Sequence, residues 1–234
     1  MPPVGWVNSK KAFAYSQPSK KKKFRVGTVQ RYAQFQVYET AGRGKRKFYR
    51  FDEGLWFYAG DVRVVTSAVR PAGVSNTERW VDVNVSQQVI TAYEGDRPVY
   101  ASMVSTGRYG GSRTVKGAFK IWVKLSAIAM DNTDEELDEE LDEDILYEDG
   151  GLPDEERHLF SLHDVPWTQF FHENFALHGV YWHDRFGNRK SHGCVNLAPQ
   201  DARWFFNWTE PHLPDGWWAI HTIADEQITT VRVR

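Results

Sequence analysis

The single cysteine of this 234-residue chain lies in a segment rich in histidine and glycine. Cys194 follows His192 and Gly193, and 15 residues separate it from an upstream His178. A thiol is a strong nucleophile as the thiolate, and a nearby imidazole makes that form accessible near neutral pH. A glycine at position 193 lets the backbone turn so that the N–H groups of Gly193 and Cys194 point at a developing oxyanion. These residues predict acyl transfer, with Cys194 as nucleophile and His178 as its base.

Two other interpretations of this segment stay open on the residues alone. A lone cysteine is often a small buried apolar side chain without chemistry. The segment also holds four metal-ligand side chains within 17 residues, namely His178, His183, His192 and Cys194, but their spacing matches no common zinc pattern. We therefore expect no metal ion and no other cofactor.

The composition is that of a globular protein, with 41% hydrophobic and 26% charged residues and a mean hydropathy of -0.57. No long uncharged apolar run is present, so we expect no transmembrane segment. Residues 1 to 24 contain lysines but no apolar core of a signal peptide, and none is visible in this chain. A single cysteine excludes a disulfide within the chain.

The charged residues are concentrated in two blocks. Residues 1–50 carry 13 Lys or Arg and one acid, whereas residues 131–156 carry 15 Asp or Glu and no base. Blocks of like charge are usually solvated, and basic ones often bind anionic polymers. We interpret residues 1–23 as a basic extended arm and residues 131–156 as an acidic insertion.

The hydrophobic pattern between these blocks predicts two domains of mainly β structure. Short β-rich pieces separated by glycines over residues 24–69 indicate a small SH3-like β module. Residues 70–78 form a linker, and residues 79–234 form the second domain. Its predicted strands lie at 80–85, 89–93, 99–104, 119–125, 217–223 and 228–233, with a short helix after Pro199.

The pair His178-Gly179, followed by Ser191-His192-Gly193-Cys194-Val195-Asn196, resembles the signature of the L,D-transpeptidase catalytic domain (YkuD-type) of bacterial cell-wall enzymes. The resemblance covers about residues 79 to 224, and residues 131–156 look inserted into it. It implies a mainly β fold, with a YkuD-type β-sandwich catalytic domain and a short helix, preceded here by the small SH3-like β-barrel.

The resemblance also implies a reaction. Family members attack a peptidoglycan stem tetrapeptide, release its terminal D-Ala, hold the acyl group as a cysteine thioester and transfer it to an amine to form a 3,3 crosslink. On this chain Cys194 would be the nucleophile and His178 the base, with the Gly179 carbonyl orienting the imidazole. Attack by water would make the protein an L,D-carboxypeptidase instead, and a non-catalytic cell-wall-binding protein is a further alternative.

The remaining expectations concern the surroundings of this pair. The residues expected to orient the site or to shape the oxyanion region are Ser191, His192, Gly193 and Asn196, and for Asn196 we favour a loop-tying amide over a substrate contact. The residues expected to line the donor cleft are Tyr181, Trp182 and His183. Expected partners are peptidoglycan stem peptides and, for the basic arm, anionic wall polymers; no nucleic acid is expected. The family's substrate implies an extracytoplasmic location, in the periplasm or the cell wall.

Overall fold

The computed structural model describes residues 3–131, 161–223 and 227–234. Within these ranges the chain forms 18 β-strands and one α-helix, which confirms the mainly β fold. None of the helices in these ranges is long and apolar enough to cross a membrane. The acidic insertion expected at 131–156 lies outside the described residues from position 132 onward.

The N-terminal part of the chain folds into two sheets around an apolar core. The sheets have the strand orders β4-β1-β8 and β3-β2-β7-β6-β5. Their strands are β1 (Val4–Val7), β2 (Lys11–Tyr15), β3 (Arg25–Gln30), β4 (Gln34–Gln36), β5 (Glu39–Ala41), β6 (Phe48–Asp52), β7 (Leu55–Tyr58) and β8 (Val62–Val64). Val7, Phe57 and Val62 are almost fully buried between them. We call residues 4–64 the N-terminal module.

The interpretation of residues 1–23 as an extended arm is wrong, because these residues supply two strands of the module. β1 pairs with both β4 and β8, and β2 pairs with both β3 and β7. The inward positions of these strands are filled by small residues such as Gly5, Ala12 and Ala14, which are poor β-formers and hide the alternating pattern. A side chain at Gly5 would meet the Arg63 carbonyl oxygen at 2.8 Å, so the small residue permits close packing.

Residues 79–234 begin with an antiparallel three-stranded meander, whose first strand has alternating valines. Its first sheet has the order β11-β10-β9-β18-β12, with β18 parallel to β9. The strands are β9 (Arg79–Asn84), β10 (Val89–Glu94), β11 (Arg97–Met103), β12 (Gly117–Lys120) and β18 (Thr230–Val233). The two-residue connection of β10 to β11 contains Gly95 at a positive φ of 57°, where an added Cβ would lie 1.9 Å from the Asn76 carbonyl oxygen.

The second sheet carries the residues of interest and has the order β16-β15-β14-β13-β17. Its strands are β13 (Val123–Asp131), β14 (Ser161–His172), β15 (Phe175–Gly179), β16 (Val195–Leu197) and β17 (Ala219–His221). The single strand expected over 119–125 is two strands, because the chain leaves β12 at Lys120 and enters β13 of the other sheet at Val123. The buried Ile121 lies at this crossing, so burial continues while the pairing partner changes.

The two sheets enclose one apolar core, to which the only α-helix in the described ranges contributes. α1 (Pro199–Trp208) starts with a proline in its first turn and buries Ala202, Phe205 and Phe206. The core joins β9 residues such as Val81 with residues of the second sheet such as Leu177. Sheet-on-sheet packing of this kind agrees with the expected sandwich.

The C-terminal end of α1 is held by a buried lysine from the second sheet. Lys124 in β13 is fully buried, and its Nζ donates to the carbonyl oxygens of Phe206 at 2.7 Å, Thr209 at 2.9 Å and Pro211 at 2.8 Å. The three N–H groups of the ammonium thus satisfy carbonyl groups at and just beyond the end of the helix. The helix is thereby fixed to β13, which lies two strands away from β15 in the sheet.

Candidate active site

His178 lies in β15, and Cys194 immediately precedes β16, the neighbouring parallel strand of the second sheet. His178 in β15 pairs with Asn196 in β16, and Leu177 pairs with Val195. Side chains two residues apart point to the same face of a sheet. Cys194, two residues before Asn196, therefore continues the row on the face that carries the His178 side chain.

The imidazole of His178 is buried and held in one tautomer. Its Nδ1 lies 3.0 Å from the carbonyl oxygen of Gly179. Because a carbonyl can only accept, Nδ1 carries the proton and Nε2 is left with its lone pair. Burial, opposed by this hydrogen bond, lowers the pKa of His178 to about 4. At neutral pH the ring is therefore an uncharged base with Nε2 available.

The Cys194 thiol is half-buried and also uncharged near neutral pH. Burial raises the pKa of Cys194 to about 11, against a smaller lowering by a hydrogen bond with the backbone of Ala176. The Sγ donates to the carbonyl oxygen of Asn174 at 3.5 Å. The thiol proton thus points at a carbonyl and must turn away from it before an imidazole can take it. The resting pair is a neutral thiol and a neutral imidazole.

The backbone in front of Cys194 needs a glycine. Gly193 has a φ of 144°, and a Cβ at this position would lie 2.8 Å from the Phe175 ring. Its N–H donates to Ser191 Oγ at 3.2 Å, and Ser191 Oγ donates in turn to the Cys194 carbonyl oxygen. The Gly193 N–H must leave Ser191 to reach an oxyanion. His192 is exposed on the same turn.

Thr114, which no sequence motif marks, ties this turn to the rest of the domain. Thr114 Oγ1 accepts from the Gly107 N–H at 2.8 Å and donates to the Gly193 carbonyl oxygen at 2.6 Å. Gly107 also forms a bridge with Ser191. The hydroxyl therefore fixes the Gly193 peptide through its carbonyl oxygen. A threonine among many gives no signal in a sequence, since its role depends on a contact 79 positions away.

His183 and Asn196 form a polar pair next to His178 in the register of the sheet. Burial lowers the pKa of His183, so its ring is neutral at pH 7. Its Nδ1 accepts from the Arg185 N–H at 3.2 Å, which leaves the proton on Nε2. Nε2 lies 3.1 Å from the Asn196 amide, whose Oδ1 otherwise has no partner among the described residues. An amide turned so that Oδ1 faces Nε2 satisfies both groups. The described contacts of the Asn196 amide are thus internal.

The two aromatic residues after Gly179 lie at the surface. The Trp182 ring is 6.0 Å from the His178 ring at an interplanar angle of 25°, and it is 37% exposed. Tyr181 is 59% exposed and donates its hydroxyl proton to the His163 carbonyl oxygen at 2.7 Å. Trp182 therefore packs beside the imidazole with one part exposed to solvent, and the Tyr181 ring packs against Trp182.

The N-terminal module holds the loop between the histidine and cysteine segments. Arg31, Tyr32 and Arg63 all donate to carbonyl oxygens of residues 184–188, including a 2.7 Å hydrogen bond from Arg63 Nε to Gly187. The Gly187 N–H in turn donates to the carbonyl oxygen of Val104, which directly follows β11 of the first sheet. The module is thus packed directly against the chain segment that leads to the cysteine.

Backbone pairing places His178 opposite Asn196, two residues after Cys194. Gly179 and Trp182 contact the His178 ring, Ser191 and Gly193 hold the turn before Cys194, and His183 pairs with Asn196. In the described part of the chain no three His, Cys, Asp or Glu side chains lie close enough to hold a metal ion. The arrangement offers a nucleophile, a neutral base and backbone N–H groups on one turn, which are the parts needed for acyl transfer.

The family profile described as the L,D-transpeptidase catalytic domain (YkuD) matches residues 78–230. The chain belongs to this family. Its match begins one residue before β9 and ends in β18, so the L,D-transpeptidase domain comprises both sheets and α1, and the N-terminal module lies before it. A comparison with curated protein sequences gave no match.

Solved structures of L,D-transpeptidases resemble the chain at low sequence identity. A mutant of the Enterococcus faecium L,D-transpeptidase is 15% identical with a TM-score of 0.46, and the match covers 67% of this chain and 50% of that one. The L,D-transpeptidase from Mycobacterium smegmatis is 15% identical with a TM-score of 0.48, over 84% of this chain and 81% of that one. L,D-transpeptidase 3 from Mycobacterium tuberculosis, in complex with a faropenem-derived adduct, is 17% identical with a TM-score of 0.46, over 77% and 72%. The chain thus spans half the length of the Enterococcus faecium protein.

Proposed function

We propose that this chain is a peptidoglycan L,D-transpeptidase in which Cys194 forms a thioester with a stem tetrapeptide. The observation that carries the proposal is the His178 tautomer. Its Nδ1 is occupied by the Gly179 carbonyl, so Nε2 is unprotonated on the strand beside the cysteine. Membership of the family supplies the substrate class.

The first half-reaction starts from the neutral pair. Sγ attacks the carbonyl carbon between the third residue and the terminal D-Ala while its proton passes to Nε2 of His178. Backbone N–H groups of the turn before Cys194 receive the charge on the carbonyl oxygen. The C–N bond then breaks, Nε2 returns its proton to the leaving amine, and D-Ala departs. The acyl group remains on Sγ as a thioester.

The second half-reaction decides between two products. An acceptor amine attacks the thioester carbon and gives its proton to Nε2. The C–S bond then breaks, the departing Sγ takes the proton from Nε2, and the new amide bond is the 3,3 crosslink. Water attacking in the same way would give a tripeptide and make the protein an L,D-carboxypeptidase. We favour the amine, in keeping with the family, and place the reaction outside the cytoplasm, where peptidoglycan lies.

A mass measurement tests the proposal. We expect a carbapenem to add once to the intact protein and not at all to Cys194→Ala. His178→Ala is expected to lower the rate of adduct formation by about 10²-fold or more, since general acid–base help is typically worth this factor. His221→Ala, on the outer strand β17, is the matched histidine control and is expected to react like the parent. An adduct on Cys194→Ala, or equal rates for the two histidine variants, would overturn the assignment.

A further inference from the structure

An open groove of about 590 Å³ lies where the N-terminal module meets the catalytic domain. Its lining includes Arg63 from the module and Arg108 and Arg189 from the catalytic domain, and none of its lining residues is acidic. Tyr109 and Asn188 also line it. A volume of this size is within the roughly 300–1,000 Å³ range of small-ligand sites. The charge of the lining selects for anions.

The guanidinium groups of Arg63 and Arg189 are held by backbone carbonyls and not by carboxylates. Arg63 donates from Nε to Gly187 at 2.7 Å and from Nη1 to Val62 at 2.9 Å. Arg189 donates from Nη1 to Gly107 at 3.0 Å, and its Nη2 donates to another carbonyl at 3.1 Å. Among the described residues neither arginine forms an ion pair.

These contacts orient the arginines without neutralising them. A guanidinium has five N–H donors, and Arg189 Nε donates to no atom of the residues that the structure describes and is not enclosed by protein. Its guanidinium lies 4.7 Å from the Tyr109 ring, which is itself 77% exposed. Burial lowers the pKa of Arg63, so an anion beside this group would offset the cost of desolvating its charge.

The groove shares its wall with the candidate active site. Arg189 bonds the Gly107 carbonyl oxygen, and Gly107 forms a bridge with Ser191. Ser191 precedes Cys194 by three residues, a span of at most roughly 11 Å for an extended chain. A peptide several residues long could therefore occupy the groove and extend to Cys194. Alternatively, one ligand could occupy the groove while another lies at Cys194.

We propose that this groove is a binding site for a carboxylate-bearing peptide, with Arg63 and Arg189 as the groups that receive the carboxylate. Guanidinium forks pair with planar carboxylates in a bidentate manner, and the polar side chains beside them can bond peptide groups. The identity of the peptide as a peptidoglycan stem rests on the proposed function, whereas the anion site rests on the groove alone.

The test uses the full chain carrying Cys194→Ala, so that bound peptide is not consumed. Calorimetry measures the affinity for a stem tetrapeptide with free carboxyl groups and for the same peptide with all carboxyls amidated. We expect the acid to bind at least about tenfold more tightly than the amide, as charge-assisted hydrogen bonds are roughly twice as strong as neutral ones. The same ratio is then measured with Arg189→Gln or Arg63→Gln added, and with Arg203→Gln, an exposed position on α1, as the control for net charge.

The ratio of the two affinities separates recognition from a general loss of structure, since both peptides suffer equally from the latter. We expect it to fall towards one in Arg189→Gln and Arg63→Gln and to stay unchanged in Arg203→Gln. A ratio of one in the parent, or a ratio retained in both groove variants, would overturn the proposal. Displacement of the acid peptide by inorganic phosphate at matched ionic strength would also overturn it, by making the groove a phosphate site. Carbapenem labelling of the protein with Cys194 intact tests the proposed function separately, so the two failures are distinguishable.

Discussion

The pH dependence of Cys194 acylation tests whether the reacting pair is neutral. The pKa of the thiol is raised to about 11 and that of His178 is lowered to about 4, both by burial. At pH 7 only about one thiol in 10⁴ is therefore ionised, while nearly every imidazole is an unprotonated base. If the imidazole removes the thiol proton during attack, the rate depends on the two neutral forms. We expect a plateau from about pH 5 to about pH 10, with a fall below it as His178 is protonated.

The His178→Ala variant gives the contrasting profile. Without the base, only the preformed thiolate can attack, and its population rises tenfold for each pH unit below the thiol pKa. We expect the variant's rate to rise about tenfold per unit from about pH 6 to about pH 10, so that its deficit of about 10²-fold or more at pH 7 shrinks as the solution becomes alkaline.

The assay is the rate of carbapenem adduct formation followed by intact mass across this pH range. The Cys194→Ala protein corrects for decay of the reagent, and circular dichroism at each pH confirms that the chain remains folded. A parent rate that climbs tenfold per unit between about pH 5 and about pH 9 would show that a free thiolate is the nucleophile, contrary to our reasoning. A rise centred near pH 6.5 would show an imidazole of ordinary pKa, and burial would then not govern His178.

Two further predictions concern the support of the site. Replacing Lys124 by methionine leaves three carbonyl groups without their donor, and we expect the free energy of unfolding to fall by about 3–5 kcal/mol, or Tm by about 6–20 °C. The control Lys120→Met removes an exposed lysine with one hydrogen bond and is expected to cost about 0.5 kcal/mol or less. Equal Tm values for the two variants would contradict this prediction. Gly193→Ala places a Cβ 2.8 Å from the Phe175 ring and is expected to slow acylation at least about tenfold, while Gly111→Ala, which meets nothing within 4 Å, serves as the control that should keep the parent rate.

The family of this chain could be predicted from sequence because the residues of its signature lie in two short segments. A nucleophile, a base and a turn glycine within 17 residues constrain one another strongly enough to indicate both a reaction class and a family. The charge states of the pair could not be predicted, because they depend on burial. The residue types predict an imidazole that makes a thiolate accessible, whereas burial keeps both Cys194 and His178 neutral at rest.

The strands that position the pair were missed for a different reason. β14, the central strand of the second sheet, contains the fully buried polar residues Thr168 and Gln169 and two positive-φ positions, Asp164 and Trp167. Alternation of apolar and polar side chains is lost in such a strand, so no period of two marks it. β15 is only five residues long and is recognised from its pairing with β14 and β16. Sequence pattern therefore identified the strands of the first sheet, whose buried positions are mostly apolar, and missed β14, β15 and β16 of the second sheet.

The module's position gives the incorrect arm prediction a physical consequence. A free basic arm could bind anionic polymers without affecting catalysis, but β1 and β2 are built into a module that donates hydrogen bonds to the loop 184–188. Arg63 contacts both the loop and the groove, since its Nε donates to the Gly187 carbonyl oxygen and its guanidinium lines the groove. An anion bound there would draw on the same side chain that positions the segment leading to Cys194. Binding of an anion in the groove and the geometry of the cysteine turn are thus linked through Arg63. We therefore expect anionic ligands of the groove to change the rate of Cys194 acylation as well as the affinity of the protein for its peptide.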